Sequence, residues 1–299
     1  MLESLDITHL TFAAIQCFMG VLANGIIVVV NSTDLIKQRK MLPFDLLLCC
    51  LATCRICLQL VMFHLNLAIL SLIEFPPPFW YFVTFMFIYK LELWLATWLS
   101  VFYCTKISTI AHPLFFWLKL RISKLVPWLI LGTVLYALLT SVLHSNYAWI
   151  LSQKTWSRIV FQNATTQTKD VPALQFAFLV IELSLPLVIF LISALLLIFS
   201  LGRHTQQMIS TAAGARPPSA SVHISALRSF LSFLVLYVSQ YMMATLILSQ
   251  IFKRRNFIFM FCMLVVGLYP SVHSIILILG NPKLKQNAKK FLLHSKCCQ

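Results

Sequence analysis

Residues 173–201 have the sequence ALQFAFLVIELSLPLVIFLISALLLIFSL, in which Glu182 is the only charged side chain. A helix needs about 20 mostly apolar residues to cross the ~30 Å hydrocarbon core of a bilayer. This block is longer than that, so it predicts a membrane-spanning helix. Six other apolar blocks of similar length lie near residues 10–30, 44–72, 80–105, 125–145, 226–250 and 258–280. The sequence therefore predicts an all-α membrane protein with a bundle of seven transmembrane helices.

The composition of the 299-residue chain excludes other classes of protein. Hydrophobic residues make up 60% of the chain and charged residues 10%, whereas soluble domains are roughly a quarter charged. A transmembrane β-barrel would show alternating segments of about ten residues. The net charge of +15 does not indicate nucleic-acid binding, because the basic residues lie between apolar blocks. Basic residues in such loops set the orientation of a protein in the membrane. We predict one domain, residues 1–299, which ends in an amphipathic tail at 282–299.

The distribution of Lys and Arg between the loops predicts the orientation in the membrane. The first, third and fifth linkers and the tail hold 15 of these residues, and the loops on the other side hold 6. Cytoplasmic loops carry the excess of positive charge, so the N-terminus is predicted to lie outside and the tail in the cytoplasm. Lys253, Arg254 and Arg255 lie in a predicted outer loop and run against this rule.

Two Asn-X-Ser/Thr sequences bear on this orientation. Asn163 begins the sequence NAT in the long predicted outer loop, where we expect an N-linked glycan. Asn31 begins the sequence NST on the predicted inner side, beside basic residues, so we expect it to stay unmodified.

Four ionisable residues lie inside the predicted spans: Arg55, Lys90, Glu92 and Glu182. Such residues are costly in hydrocarbon and face the interior of a bundle. Arg55 suits a structural network with Asn24, and Glu92 is expected to face a neighbouring helix. Lys90 and Glu182 have opposite charge and lie at similar depth, so we expect them to pair. Their pair would serve either as a lock between helices or as the floor of a cavity open to the outside.

The sequence contains no catalytic motif of the HExxH, GxSxG, Walker A or GxGxxG type. We therefore expect neither an enzyme nor a bound metal or cofactor. A small-solute channel or transporter is the alternative to a receptor, because its pathway would use the same buried polar residues. Pro186 and Pro270 interrupt spans, but an odd number of spans without internal similarity disfavours the inverted repeats of many transporters.

The third span has the sequence LELWLATWLSVFYCTKIS at 91–108. It resembles the third helix of the type 2, bitter, taste receptors, which are seven-helix G-protein-coupled receptors. Asn24-Gly25 in the first span and Leu51, Ala52 and Arg55 in the second match the same family. The remaining matching segments are HPLFFWLKLRISK at 112–124, LLLIFSLGRHTQQM at 195–208, HISALRSFLSFLVLY at 223–237 and YPSVHSIILILGNPKLKQ at 269–286.

The resemblance has departures at positions near the expected ligand site. Phe85 and Tyr89 stand where many members of the family have Trp and Asn, and Met263 stands where some members have an acidic residue. Cys54 replaces the Ser that commonly precedes the arginine of the second helix. Ligand-binding residues of the family therefore transfer poorly to this chain.

The resemblance implies a plasma-membrane receptor whose small bitter ligand enters among helices 2, 3, 5, 6 and 7 and shifts the population of two states. The predicted ligand-binding residues are Asn66, Phe85, Met86, Tyr89, Lys90, Glu182, Tyr241 and Met263. The lipid membrane is a further partner, and nucleic acid is not expected.

The implied protein partner is a gustducin-type heterotrimeric G protein at the inner face. The predicted contact residues are Tyr103, Lys106, His112, Pro113, Lys119 and His204. Aromatic and basic residues also anchor helices at membrane interfaces, so the stretch around His112 has this simpler interpretation as well. In the tail, Leu284, Ala288 and Phe291 follow helical spacing and predict an interfacial helix. Cys297 and Cys298 after it are either palmitoylated or unmodified.

Overall fold

A computed structural model of the chain describes residues 4–38, 42–70, 79–108, 112–143, 173–211, 218–249 and 256–297. These ranges contain helices and no strand. The helices are α1 (Ser4–Gln38), α2 (Pro43–Ile69), α3 (Phe79–Ile107), α4 (Pro113–Leu143), α5 (Ala173–Thr211), α6 (Pro218–Leu248), α7 (Phe257–Gly280) and α8 (Pro282–Cys297). Helices α1 to α7 are long and apolar enough to cross a membrane, which confirms the predicted seven-span class.

The helices form one bundle. Helices α1, α2, α3, α5, α6 and α7 each contact the next, and α7 closes the ring against α1. Helix α4 packs against α2 and α3, and α8 contacts α7 and α1. We call the end of the bundle that holds Asp45, Tyr103 and α8 the α8 end, and the opposite end the far end.

Prolines mark where several helices begin. A proline at the first helical position lacks only a donor that the helix would leave unpaired there. Helices α2, α4, α6 and α8 begin at Pro43, Pro113, Pro218 and Pro282. Helix α4 therefore starts well before its apolar block near 125–145, and α6 starts before the block near 226–250. Apolar patterning marks only the part of a helix suited to hydrocarbon, whereas the helix itself continues to its capping residues.

The bundle has an apolar outside and a partly polar centre. Phe18, Trp128 and Phe199 are each at least two-thirds exposed, as side chains that face lipid are. In the centre, polar residues lie where helices approach closely. A Cβ added to Gly20 would lie 2.5 Å from Oγ of Ser271, so the absence of a side chain there lets α1 approach α7.

The two Asn-X-Ser/Thr sequences fall in different parts of the chain. Asn31 lies within α1, and its side chain is 1% exposed. A helical and buried side chain is a poor acceptor for a glycan, in agreement with the expectation that Asn31 is unmodified. Asn163 lies outside the described residues.

Candidate functional site

Arg55 of α2 lies fully buried at the centre of the bundle, and its guanidinium contacts α3 and α7. Nε donates to Oε1 of Glu92 on α3 at 3.0 Å, and both side chains have 0% exposure. Nη1 donates to Oγ of Ser274 at 3.2 Å, and Nη2 donates to Oη of Tyr269 at 3.2 Å. Nη2 also contacts Nδ1 of His273. The guanidinium of Arg55 thus has four partners on two other helices.

The network continues from Arg55 to α1 through α7. Ser274 Oγ donates to Oδ1 of Asn24 at 2.7 Å, so the predicted link between Asn24 and Arg55 runs through Ser274. Farther along α7, Nε2 of Gln59 donates to Oγ of Ser271 at 2.7 Å, and Ser271 donates to a backbone carbonyl of α1 at 3.0 Å. We call Asn24, Arg55, Glu92, Tyr269, His273 and Ser274 the Arg55 cluster. It joins α1, α2, α3 and α7.

Lys90 of α3 and Glu182 of α5 pair, as the sequence predicted. Nζ of Lys90 lies 2.8 Å from Oε1 and 3.0 Å from Oε2 of Glu182. Nζ also donates to Oγ1 of Thr140 on α4 at 3.1 Å, and Tyr136 of α4 interacts with the carboxylate. The pair therefore lies where α3 meets α4 and α5, with side-chain exposures of 2% and 9%.

The other predicted ligand-binding residues lie on several faces of the bundle. Met86, Tyr89 and Met263 are buried, and the ring of Phe85 stacks on that of Tyr89 at 5.9 Å between centroids. Tyr241 of α6 extends its Oη to 2.5 Å from a serine hydroxyl of α5. The hydroxyl of Tyr89 is buried and has no hydrogen-bond partner among the described residues.

Asn66 faces a different neighbour from the rest of this set. Its Oδ1 lies 2.7 Å from Nε2 of His9, which is buried on α1. Its Nδ2 donates to the carbonyl of Met62 one turn earlier on α2, at 2.8 Å. Asn66 therefore ties α2 to α1 near the far end.

A contact between α3 and α6 was not predicted from the sequence. Tyr237 of α6 is fully buried, and its Oη donates to the carbonyl of Leu93 at 3.3 Å and lies 3.3 Å from Oγ1 of Thr97. Its ring stacks on Phe190 of α5 at 4.1 Å between centroids. A hydroxyl inside a span indicates that a hydrogen-bond partner lies nearby. The partners of Tyr237 are 140 and 144 residues away along the chain, so the sequence did not identify them.

A cavity lies between α3, α5, α6 and α7 on the α8 side of Tyr237. Tyr103 packs edge-on against Phe230 of α6 at 5.1 Å and against Phe44 of α2 at 5.3 Å. The walls of the cavity are formed by four aromatic rings, those of Tyr103, Phe190, Phe230 and Phe233, together with Ala96, Leu99, Ser100, Ala194 and His273.

Of the other predicted G-protein contacts, four lie near the junction of α3 and α4: Lys106, His112, Pro113 and Lys119. Nζ of Lys106 is 3.5 Å from the backbone carbonyl of Lys119 and 5.8 Å from the centre of a phenyl ring on its own helix. His112 and Pro113 are exposed where α4 begins. The His204 side chain lies outside the described part of α5. Among the described residues, no three His, Cys, Asp or Glu side chains form a group that would hold a metal ion.

This arrangement, seven membrane-spanning helices around a polar centre with an aromatic cavity toward one end, is that of a seven-helix membrane receptor. A sequence profile of the family described as "Taste receptor protein (TAS2R)" matches residues 1–296. The chain is 55% identical to "Taste receptor type 2 member 1" of Chlorocebus aethiops and 56% identical to that of Pan troglodytes, over the full length of both chains. It is 52% identical to "Taste receptor type 2 member 119" of Rattus norvegicus, over 95% of this chain and 84% of the relative.

The chain therefore belongs to the type 2, bitter, taste receptor family of G-protein-coupled receptors. It is a multi-pass protein of the plasma membrane. Members of this family are receptors rather than enzymes, so the polar groups of the bundle are to be explained by binding, packing and change of conformation.

Proposed function

We propose that this receptor binds small bitter compounds among α2, α3, α5, α6 and α7, on the far-end side of the Arg55 cluster. The observation that carries the proposal is the buried hydroxyl of Tyr89, which lacks a hydrogen-bond partner among the described residues. Buried polar groups are normally paired with protein or water, so an unpaired hydroxyl favours a site that a ligand or water fills. The position of Tyr89 on α3, one turn from Glu92, places that hydroxyl near the polar centre.

The chemistry of the proposed pocket is mostly apolar with few polar groups, as small-molecule sites are. Phe85, Met86 and Met263 supply apolar surface, and Tyr89 and Tyr241 supply hydroxyls. We also assign three residues to its edges: Asn66, Lys90 and Glu182. The pair of Lys90 and Glu182 would form the charged edge toward α4 and α5, and Asn66 the edge toward α1.

The proposed output is activation of a gustducin-type heterotrimeric G protein at the α8 end. Tyr103, Phe230 and Phe233 close the aromatic cavity there, and separation of α6 from α3 would open it. The residues proposed to contact the G protein are Tyr103, Lys106, His112, Pro113, Lys119 and His204. A ligand shifts the equilibrium between closed and open states only by its difference in affinity for them.

The proposed orientation places the α8 end in the cytoplasm and Asn163 outside the cell. We expect endoglycosidase to increase the mobility of the wild-type protein on a gel, because Asn163 carries a glycan. Asn163→Gln should abolish this shift, and Asn31→Gln is the matched control that should retain it. A shift that persists in Asn163→Gln would contradict both the glycan and the proposed orientation.

The pocket is tested by removing the Tyr89 hydroxyl in cells that co-express a gustducin-type G protein. Tyr89→Phe should raise the agonist concentration for half-maximal calcium release about fivefold, since a lost hydrogen bond costs about 1 kcal/mol. Tyr81→Phe is the matched control on the same helix, because the Tyr81 hydroxyl already donates to the carbonyl of Val61 at 2.9 Å. Equal responses of both variants and wild type to every agonist would place the pocket elsewhere.

The same cells separate a receptor from a channel or transporter. A receptor should give calcium release that depends on the co-expressed G protein and no flux of the agonist. Agonist uptake without a need for the G protein would favour the transport alternative and overturn the proposed coupling.

A further inference from the structure

The described apolar residues of α8, Leu284 and Ala288, pack on the bundle. Leu284 and Ala288 are 1% and 9% exposed and belong to the same buried cluster as residues of α1 and α7. An interfacial helix that rests on a membrane by its apolar side needs that side free. Leu284 and Ala288 therefore hold the first half of α8 to the protein by its apolar side.

The orientation of α8 about its axis is fixed by polar contacts at its start. Oδ1 of Asn281 accepts from the backbone N of Lys283 at 3.0 Å and caps the helix one residue after α7 ends. Nζ of Lys283 lies 3.1 Å from Oδ2 of Asp45 at the beginning of α2. This ion pair joins α8 to α2, so a rotation that buried the other lysines would break it.

The fixed orientation leaves a basic surface, which we call the lysine face: Lys285, Lys289 and Lys290, all exposed. Lys285 and Lys289 are four residues apart and so lie side by side on the helix. Like charges at this spacing destabilise a helix unless an anion lies between them. The nearby acid Asp45 is already paired with Lys283, so it does not neutralise this face.

The lysine face follows the seventh span closely along the chain. Helix α7 ends at Gly280, and Lys285 follows only five residues later in a helix that rises 1.5 Å per residue. Exposed lysines at this depth meet lipid headgroups, and basic residues next to a span attract anionic lipids. We propose that the lysine face of α8 binds anionic phospholipid headgroups. This site is independent of the ligand pocket and of the G protein proposed above.

The test measures lipid binding by the purified full-length receptor in an uncharged detergent. Dioctanoyl phosphatidylserine is titrated against wild type, against the triple variant Lys285→Gln/Lys289→Gln/Lys290→Gln, and against a control triple variant. The control is Arg121→Gln/Lys124→Gln/Arg203→Gln, which removes three exposed cations from other helices toward the same end. Dioctanoyl phosphatidylcholine and free phosphoserine are titrated in parallel.

We expect phosphatidylserine to bind wild type more tightly than phosphatidylcholine, and each lysine removed to weaken its binding about fivefold. The control variant should bind it as wild type does. Three results would overturn the proposal: equal losses in both triple variants, binding of free phosphoserine as tight as that of the lipid, or unchanged lipid binding in the lysine variant. If lipid binding is unchanged but agonist-evoked calcium release is lost, the lysine face serves the G protein instead.

Discussion

The bundle contains two buried ion pairs on α3 that differ in what surrounds them. Arg55–Glu92 is wholly enclosed, and its arginine also contacts Tyr269, His273 and Ser274 of α7. Lys90 lies two residues before Glu92 on α3, but its pair with Glu182 faces α4 and α5. Two positions on a helix differ by about 200°, so neighbouring charges of one span face opposite sides.

The comparison shows why the two cations are different residues. The arginine fork has donors in fixed directions and holds three helices in one register. A lysine ammonium is a compact charge that reaches two partners and tolerates small changes of geometry. The Arg55 cluster is therefore expected to be a fixed centre of the bundle, whereas the Lys90–Glu182 pair is expected to tolerate replacement.

The largest effect is expected from breaking the enclosed pair. Arg55→Met leaves Glu92 without its counter-ion at 0% exposure, and such an uncompensated charge costs about 3–5 kcal/mol. We expect most of the receptor to be lost from the cell surface, as measured by flow cytometry of an N-terminally tagged chain. The loss should not depend on the agonist.

A double variant shows whether the unpaired charge causes this loss. Arg55→Met with Glu92→Leu removes both charges, and replacing a buried pair with apolar residues is often close to neutral. It should recover part of the surface expression, although the bonds from Arg55 to Tyr269 and Ser274 remain lost. A receptor with Arg55→Met that reaches the surface normally but loses selected agonists would instead make Arg55 a ligand contact.

A smaller effect is expected at the second pair. Lys90→Met removes one bond to Glu182 and one to Thr140, but the carboxylate keeps Tyr136 and has 9% exposure. Loss of a charged hydrogen bond here costs about 1.5–3 kcal/mol. We expect reduced but detectable surface expression and a lower thermal midpoint of the purified receptor.

Exchange of the charges sharpens the contrast between the pairs. Lys90→Glu with Glu182→Lys should restore expression above either single variant, because one ammonium and one carboxylate still meet. Arg55→Glu with Glu92→Arg should give no such recovery, because the guanidinium would start from α3 and lose its bonds to α7. Recovery in both double variants would show that charge alone, without the arginine geometry, holds the centre.

The smallest effect is expected at the link between α1 and the Arg55 cluster. Ser274→Ala removes the hydroxyl between Arg55 and Asn24, and interhelical bonds in membranes average about 0.6 kcal/mol. The thermal midpoint should fall slightly below that of Ser239→Ala, a control whose hydroxyl bonds only within its own helix. Identical midpoints would mean that the link to α1 carries no stability.

The sequence predicted the charged pair of Lys90 and Glu182 because two opposite charges at similar depth have few other partners in hydrocarbon. It predicted that Glu92 faces a neighbouring helix but did not name Arg55 as its partner. It also did not predict Ser274 as the bridge from Arg55 to Asn24. Ser, Thr and Tyr are common in spans, and which hydroxyls meet depends on how the helices are rotated and how closely they approach.

The amino-acid sequence by itself determined the number of spans, the helical class and the family, because each depends on local apolar length or on motifs read along the chain. The tertiary structure decided which side of α3 each charge faces, and it placed Leu284 and Ala288 of α8 against the bundle. Those outcomes arise from contacts between residues as far apart as Asn24 and Ser274. Such contacts are set by packing of whole helices, and no local pattern in the sequence specifies them.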